Sequence, residues 1–234
     1  MTKLFRKIRQ NLLNENEFKK YLIYGIGEII LVVIGILIAV SINNWKQSIN
    51  QKEVEQNLYA DLIQELQTDL VDVRDNLDFN NKYLLRYNRA SEIILNDPQR
   101  QLIDTLAIIT IELTNFSDFK IEESAYNKLA KSGKLEIIAN KEILTRLQNL
   151  GTLYNYINRL EKDQQQFMFT IIPKITEYLR LKPFQVMMPE RLYEYKFHND
   201  IEGLIKFGVE KDGLYKQAEN DLRSTINLLE KNLI

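Results

Sequence analysis

From Tyr21 to Ile42 the chain reads YLIYGIGEIILVVIGILIAVSI, a nearly unbroken apolar run with a single charge. At 1.5 Å per helical residue, about 20 apolar residues cross a hydrocarbon core about 30 Å thick. A buried helix of a water-soluble domain with that length and uniformity would be unusual. The reading is therefore a membrane-spanning helix over residues 21–42. Tyr21 and Tyr24 at one end and Trp45 at the other are the amphipathic rings that settle at the two interfaces.

Charge sets the orientation. Lys3, Arg6, Lys7, Arg9, Lys19 and Lys20 precede the span against Glu15 and Glu17, whereas Lys46 and Lys52 after it are soon followed by Glu53, Glu55 and Asp61. Excess Lys and Arg stays cytoplasmic, so the N-terminus is expected inside and everything after the span outside. A cleaved signal peptide is the rival, since Ala39-Val40-Ser41 is a small-x-small site. The apolar run exceeds the about 7 to 15 residues of a signal-peptide core, which favours a retained anchor. Within residues 1–20, Leu4, Phe5, Ile8, Leu12 and Leu13 recur at helical spacing among basic residues. That pattern suits a basic amphipathic helix on anionic headgroups, or simply a segment that sets orientation.

Glu28 demands a partner, because it sits about 10 Å inside the span, where a bare carboxylate costs a few kcal/mol. Gly35 and Ala39 project onto the same helix face, and small residues there let a second backbone approach. Glu28, Gly35 and Ala39 thus read as a transmembrane association face for a second copy or another membrane protein. The competing reading has Glu28 snorkelling to the headgroups or pairing with Lys19 or Lys20.

The stretches FRKIRQNLL and KYLIYGIGEIILVVIGILIAVSINNW resemble the N-terminal signature of a Bacteroidota membrane-protein family catalogued as a domain of unknown function. That signature runs F-R-x-I-R, then Y-A-I-G-E-I-x-L-V-V-I-G-I-L-I-A-L-x-I-N-N-W; here Gly25 replaces the alanine and Val40 the third leucine of the run. AYNKLAKSGKLEIIANKEI, from Ala125 to Ile143, is similar to a second family segment. The resemblance implies an inner-membrane protein with a periplasmic helical domain, and it implies no activity and no catalytic residues.

Residues 43–57 are expected to begin a long helix, and 58–234 to form an extracytoplasmic all-α domain. Tyr59, Ile63, Leu66, Leu70, Val73, Leu77, Leu84 and Tyr87 alternate in fours and threes, with Asn80 in the one polar seam position. This is heptad-like packing. Asp97-Pro98 should end that helix, a short apolar helix should reach Asn115, and Glu122 to Lys131 should form another, closed by Ser132-Gly133. Ile143, Leu147, Leu150, Tyr154, Ile157, Met168, Ile171 and Ile175 carry a second seam past Pro173, and Ala218, Leu222, Ile226, Leu229 and Leu233 a third. The first two seams are expected to lie antiparallel in a helical bundle. Between Leu181 and Asp200 the pattern breaks. Phe184, Met187, Met188, Tyr193 and Tyr195 there are either a partner surface or the cap on the end of the core.

Composition removes several function classes. Lys plus Arg number 31 against 32 Asp plus Glu, so there is no basic field for nucleic acid, and there is no cysteine for a disulfide scaffold. No zinc-protease, phosphate-loop or dinucleotide motif occurs, and neither a cofactor nor a metal is implied. His198, the one histidine, is expected exposed at a helix start. Asp69, Asp72, Asp75 and Asp78 step by threes, so they drift around the helix and read as a solvated acidic face rather than a cation site. Two functions are left. One is a membrane-anchored interaction or scaffold protein of the cell envelope. The other is an extracytoplasmic ligand-sensing bundle that acts through a membrane signalling partner, and the scarcity of cytoplasmic chain favours the first.

Overall fold

The structure is a computed structural model that describes residues 18–117, 119, 121 and 123–233, with side chains from residue 22 onward. The amphipathic pattern of residues 1–13 and the ring of Tyr21 lie outside the described residues. The chain divides into two units, Met1–Val54 and Glu55–Ile234. Six α-helices are present among the described residues: α1 (Phe18–Asn96), α2 (Ile103–Glu112), α3 (Ala125–Lys131), α4 (Lys141–Tyr178), α5 (Pro189–Leu192) and α6 (Tyr195–Asn232). Helix α1 contributes to both units.

In the first unit every described residue from 22 to 54 except Gly25 is exposed. Among the described residues α1 is the one helix long and apolar enough to cross a membrane; its most apolar stretch has a mean hydropathy of 2.7 and none of it is buried.

In the second unit, local sequence sets each boundary. Asp97-Pro98 stops α1 at Asn96. The Asp97 carboxylate then accepts from the backbone N–H of Gln101 (3.0 Å) and Leu102 (2.7 Å) ahead of α2. Helix α3 begins at Ala125, later than the Glu122 start expected from its acidic residues, because Ser124 takes the capping position and accepts from the N–H of Asn127. Gly133 closes α3 with φ +68°, and the Lys134 N–H returns to the Leu129 carbonyl at 2.9 Å, a left-handed cap that glycine adopts without strain. Asn140 caps α4 through the N–H groups of Glu142 and Ile143. α4 continues through Pro173 to Tyr178.

Three long helices share the core, and their directions correct the sequence expectation. Glu55 accepts from the Ala139 N–H just before α4 (2.7 Å), and farther along Asp69 accepts from the Tyr154 hydroxyl (3.0 Å), so α1 and α4 run parallel. Helix α6 opposes both. Gln56 reaches Asn232 (3.0 Å), Arg74 pairs with Glu219 (2.9 Å) and Ser91 meets Glu202 (2.6 Å), while Arg146 meets Ser224 (2.9 Å) and Lys174 pairs with Asp200 (2.6 Å). The antiparallel assumption failed because residues 97–140, with α2 and α3, are long enough to carry the chain back to the level of Glu55 before α4 starts.

The core has two apolar parts. One joins Leu58, Leu62, Leu66 and Val73 of α1 to Leu147, Tyr154 and Ile157 of α4 and to Tyr215, Leu222 and Leu229 of α6. The other joins Tyr87, Ala90 and Ile93 of α1 to Leu106 and Leu113, Met168 and Ile175 of α4, and Phe197 and Leu204 of α6. Burying each such side chain contributes about 1.5 to 3 kcal/mol. Along every long helix a polar residue separates the two parts: Asn80 in α1, Glu161 and Gln164 in α4, Lys211 in α6.

Candidate functional site: a buried polar layer and its cavity

The residues expected to act in the membrane are placed on an open helix surface. Glu28, Gly35 and Ala39 are exposed, as are the rings of Tyr24 and Trp45. A methyl group added at Gly35 would meet nothing within 4 Å. The chain itself supplies no partner for this face among the described residues.

The segment from Leu181 to Asp200 divides in two. An antiparallel hairpin, β1 (Leu179–Leu181) and β2 (Phe184–Val186), turns through a cis Lys182-Pro183 bond and was not foreseen. Helix α5 and the start of α6 follow it. Leu179, Leu192 and Phe197 are buried, and Val186 and Tyr193 pack against the core. The Tyr193 hydroxyl donates to Asp97 at 2.9 Å. Burial opposes ionisation of Asp97, yet the N–H of Leu102, the Tyr193 hydroxyl and the N–H of Gln101 hold its carboxyl below the usual range. Tyr193 thus fastens this segment to the end of α1. Phe184, Met187 and Tyr195 stay exposed, and Met188 is half-buried.

Two polar expectations are corrected. His198 is mostly covered: its Nε2 lies 2.9 Å from Ser91 Oγ and 3.3 Å from Glu202 Oε1. Ser91 also donates to Glu202 at 2.6 Å. The carboxylate therefore sits on the same ring nitrogen as the serine, whereas a nucleophilic triad needs it on the far nitrogen to orient the base. Of the four aspartates, Asp75 and Asp78 are exposed, but Asp69 is buried and hydrogen-bonded to Tyr154. Burial pushes its carboxyl up to about 6, with the Tyr154 hydroxyl opposing the rise. No cluster of three or more potential metal ligands occurs among the described residues.

The centre of the polar layer is an ion pair held by hydroxyls. Lys211 is 2% exposed and Glu161 8%, with Nζ and Oε1 3.6 Å apart. Between them stands Ser117, which accepts from Lys211 at 2.6 Å and donates to Glu161 Oε1 at 2.7 Å. The Tyr215 hydroxyl also donates to Glu161 Oε1. Burial lowers the affinity of Lys211 for its proton, and Glu161 opposes that shift. The serine is thus engaged by an ammonium on one side and a carboxylate on the other, an arrangement that links charges rather than freeing a nucleophile. Nearby, Asn80 in the seam of α1 donates to the Gly208 carbonyl of α6 at 2.9 Å, which satisfies a buried amide.

Glu161 is unevenly satisfied. Its Oε2 is buried and accepts no hydrogen bond from the described residues. The same residue lines a cavity of about 670 Å³ together with Ser117, Phe116 and Phe119. Asn155, Arg159 and Lys162 are the exposed lining residues and form its rim. The sequence reading missed this site. Its signal is periodic: Glu161 and Gln164 interrupt the Ile157–Met168 stretch of one seam, and Lys211 stands between Leu204 and Tyr215 in another.

Residues 28–168 match the sequence model of a family described as a family of unknown function, DUF6090. The chain belongs to that family. The DUF6090 region begins at Glu28 within the apolar run and ends at Met168 within α4, so it contains Ser117 and Glu161, while Lys211 and Tyr215 come from α6 beyond it. It also contains the Ala125–Ile143 segment. Neither a curated protein nor a solved structure matches the chain significantly.

Proposed function

We propose that this DUF6090 protein is a single-pass membrane protein of the cell envelope, anchored by residues 21–42, that works as an interaction or scaffold module. Its N-terminus is cytoplasmic and its helical bundle, Glu55–Ile234, lies in the periplasm. The observation that carries this reading is the first unit, whose described apolar side chains are exposed along α1 with no other described residue covering them. Such a surface is stable in lipid and not in water. The Lys and Arg excess before the span supports the orientation. A reporter active only outside the cytoplasm, fused after Ile234, is expected to be active, and an inactive fusion overturns the orientation.

Assembly runs through Glu28, Gly35 and Ala39, toward a second copy or another membrane protein. Single cysteines introduced from Ile34 to Ala39 into this cysteine-free chain should crosslink best at positions 35 and 39. Gly35→Leu should weaken association and Val33→Leu, on the opposite face, should not. Glu28→Gln keeps a hydrogen-bonding group and should retain association, whereas Glu28→Leu should lose about 0.6 to 2 kcal/mol. Crosslinking that ignores the face leaves Glu28 as a snorkelling residue.

The cavity beside Glu161 favours a second reading, a ligand-sensing bundle that acts through a membrane signalling partner. Clefts between packed helices are common small-molecule sites, and about 300 to 1,000 Å³ is their usual size.

A further inference from the structure

We infer that the cavity beside Glu161 binds a small zwitterion of the short-peptide class, with its ammonium on Glu161 and its carboxylate against Arg159 and Lys162. This rests on the ligand-sensing reading and names the chemistry of its ligand.

Glu161, the buried acid of the lining, has an oxygen that lacks a donor. Buried carboxylate oxygens are ordinarily hydrogen-bonded, and an unmet one in a low-dielectric site is costly. Glu161 Oε1 already accepts from Ser117 and Tyr215, while Oε2 accepts from nothing among the described residues. Lys211 does not meet that need, because its ammonium donates to Ser117 and stands 3.6 Å from the other oxygen. A ligand ammonium is the group that best satisfies an ionised oxygen there, since charge-assisted hydrogen bonds are about twice as strong as neutral ones.

The rim asks for an anion. Arg159 and Lys162 are exposed, and neither enters an ion pair among the described residues. The Arg159 guanidinium lies 4.9 Å from the centre of the Tyr156 ring, which restricts it next to the opening. Between base and rim the wall is aromatic. Phe119 is set edge-on to Tyr154 at 5.5 Å and lies 6.1 Å from Tyr215, so that part of the wall is fixed by the core. A carboxylate acceptor at the bottom, an apolar middle and paired cations at the mouth match a molecule with an ammonium end, an apolar side chain and a carboxylate end. The volume of about 670 Å³ accommodates one of dipeptide size.

The test uses the full chain in lipid nanodiscs and three calorimetric probes: phenylalanyl-glycine, its N-acetylated form and its C-terminal amide. The free dipeptide should bind saturably. Acetylation removes the ammonium and should weaken binding about tenfold or more, and amidation should weaken it several-fold. Arg159→Gln and Lys162→Gln alter exposed residues, so folding is preserved; each should weaken binding of the free dipeptide and leave that of the amide unchanged. Glu161→Gln, where circular dichroism shows it folded, should erase the difference between free and acetylated probes. Saturable binding of all three alike keeps a ligand cavity and overturns the charge assignment. No saturable binding of any probe overturns the ligand reading as well.

Discussion

The two units of this chain break the ordinary rule of burial in opposite ways. From Leu22 to Val54 apolar side chains face outward along a helix, while in the unit Glu55–Ile234 a lysine and a glutamate are enclosed between two apolar clusters. The first departure is continuous and has no answer among the described residues, so it calls for an apolar surrounding. The second is confined to one layer and is answered by Ser117, Tyr215 and the ion pair itself. An inversion that extends along a whole element reports its solvent. One confined to a single layer, where among the described residues the oxygens left unmet are Glu161 Oε2 and Gln164 Oε1, reports a specific site.

The sharpest way to break this contrast is to remove one charge from the layer. Lys211→Met should leave Glu161 uncompensated and lower the stability of the second unit by about 3 to 5 kcal/mol, read from urea unfolding of the full chain in detergent. The double variant Glu161→Leu with Lys211→Met should recover most of that loss, because matched apolar replacement of a buried pair is often neutral. A Lys211→Met variant as stable as wild type would show that the pair is not enclosed.

A smaller effect comes from Asp69. Its carboxyl rises from the usual 3.8 to about 6 in the fold, so between those pH values the folded chain holds more protons than the unfolded one. Stability from this group is therefore complete below pH 3.8, falls as pH rises, and is lost above about 6. Asp69→Asn keeps an acceptor for Tyr154 and should stabilise the second unit at pH 7.5 by on the order of 2 kcal/mol relative to its effect at pH 4. Equal effects at both pH values would show that Asp69 titrates as a solvated residue.

Glycines sharpen the comparison at the low end. A methyl group at Gly151 would lie 2.6 Å from the Ser124 hydroxyl that caps α3. Gly151→Ala should cost about 1 to 2 kcal/mol in the same unfolding assay. A methyl group at Gly27 in the first unit would meet nothing within 4 Å beyond its own helix backbone. Gly27→Ala should leave unfolding of the second unit within about 0.5 kcal/mol of wild type. A loss at Gly27 as large as that at Gly151 would mean the first unit is packed after all.

Elements that declare themselves locally were legible in the sequence. The apolar run, the Asp97-Pro98 stop, the Gly133 cap and the α1 seam each depend on a few neighbouring residues, and all four are found where the pattern puts them. The direction of α4 was not legible, because seam periodicity is the same whichever way a helix runs. The hairpin at Leu179–Val186 was missed because three-residue strands carry no measurable alternation. The cavity site was half-visible. Asn80 was recognised as a polar seam residue, but Glu161 and Lys211 were passed over, since a single charge in one seam reads as an interruption and only three helices together show a layer.

The parallel course of α1 and α4 bears on how the unit comes into being. Gln56 and Asn232, hydrogen-bonded at the base of the fold, are separated by 176 positions in the chain. Three other ties that hold α1 also wait for late residues: Asn80 for Gly208, Arg74 for Glu219, Ser91 for Glu202. Such non-local contacts make folding slow. A growing chain emerges from its N-terminal end at about 5 to 20 residues per second. For several seconds, then, the seam of α1 and the Glu161 carboxylate are displayed without the helix that covers them, and during that interval the nascent protein is most exposed to proteases and to neighbours of its own kind.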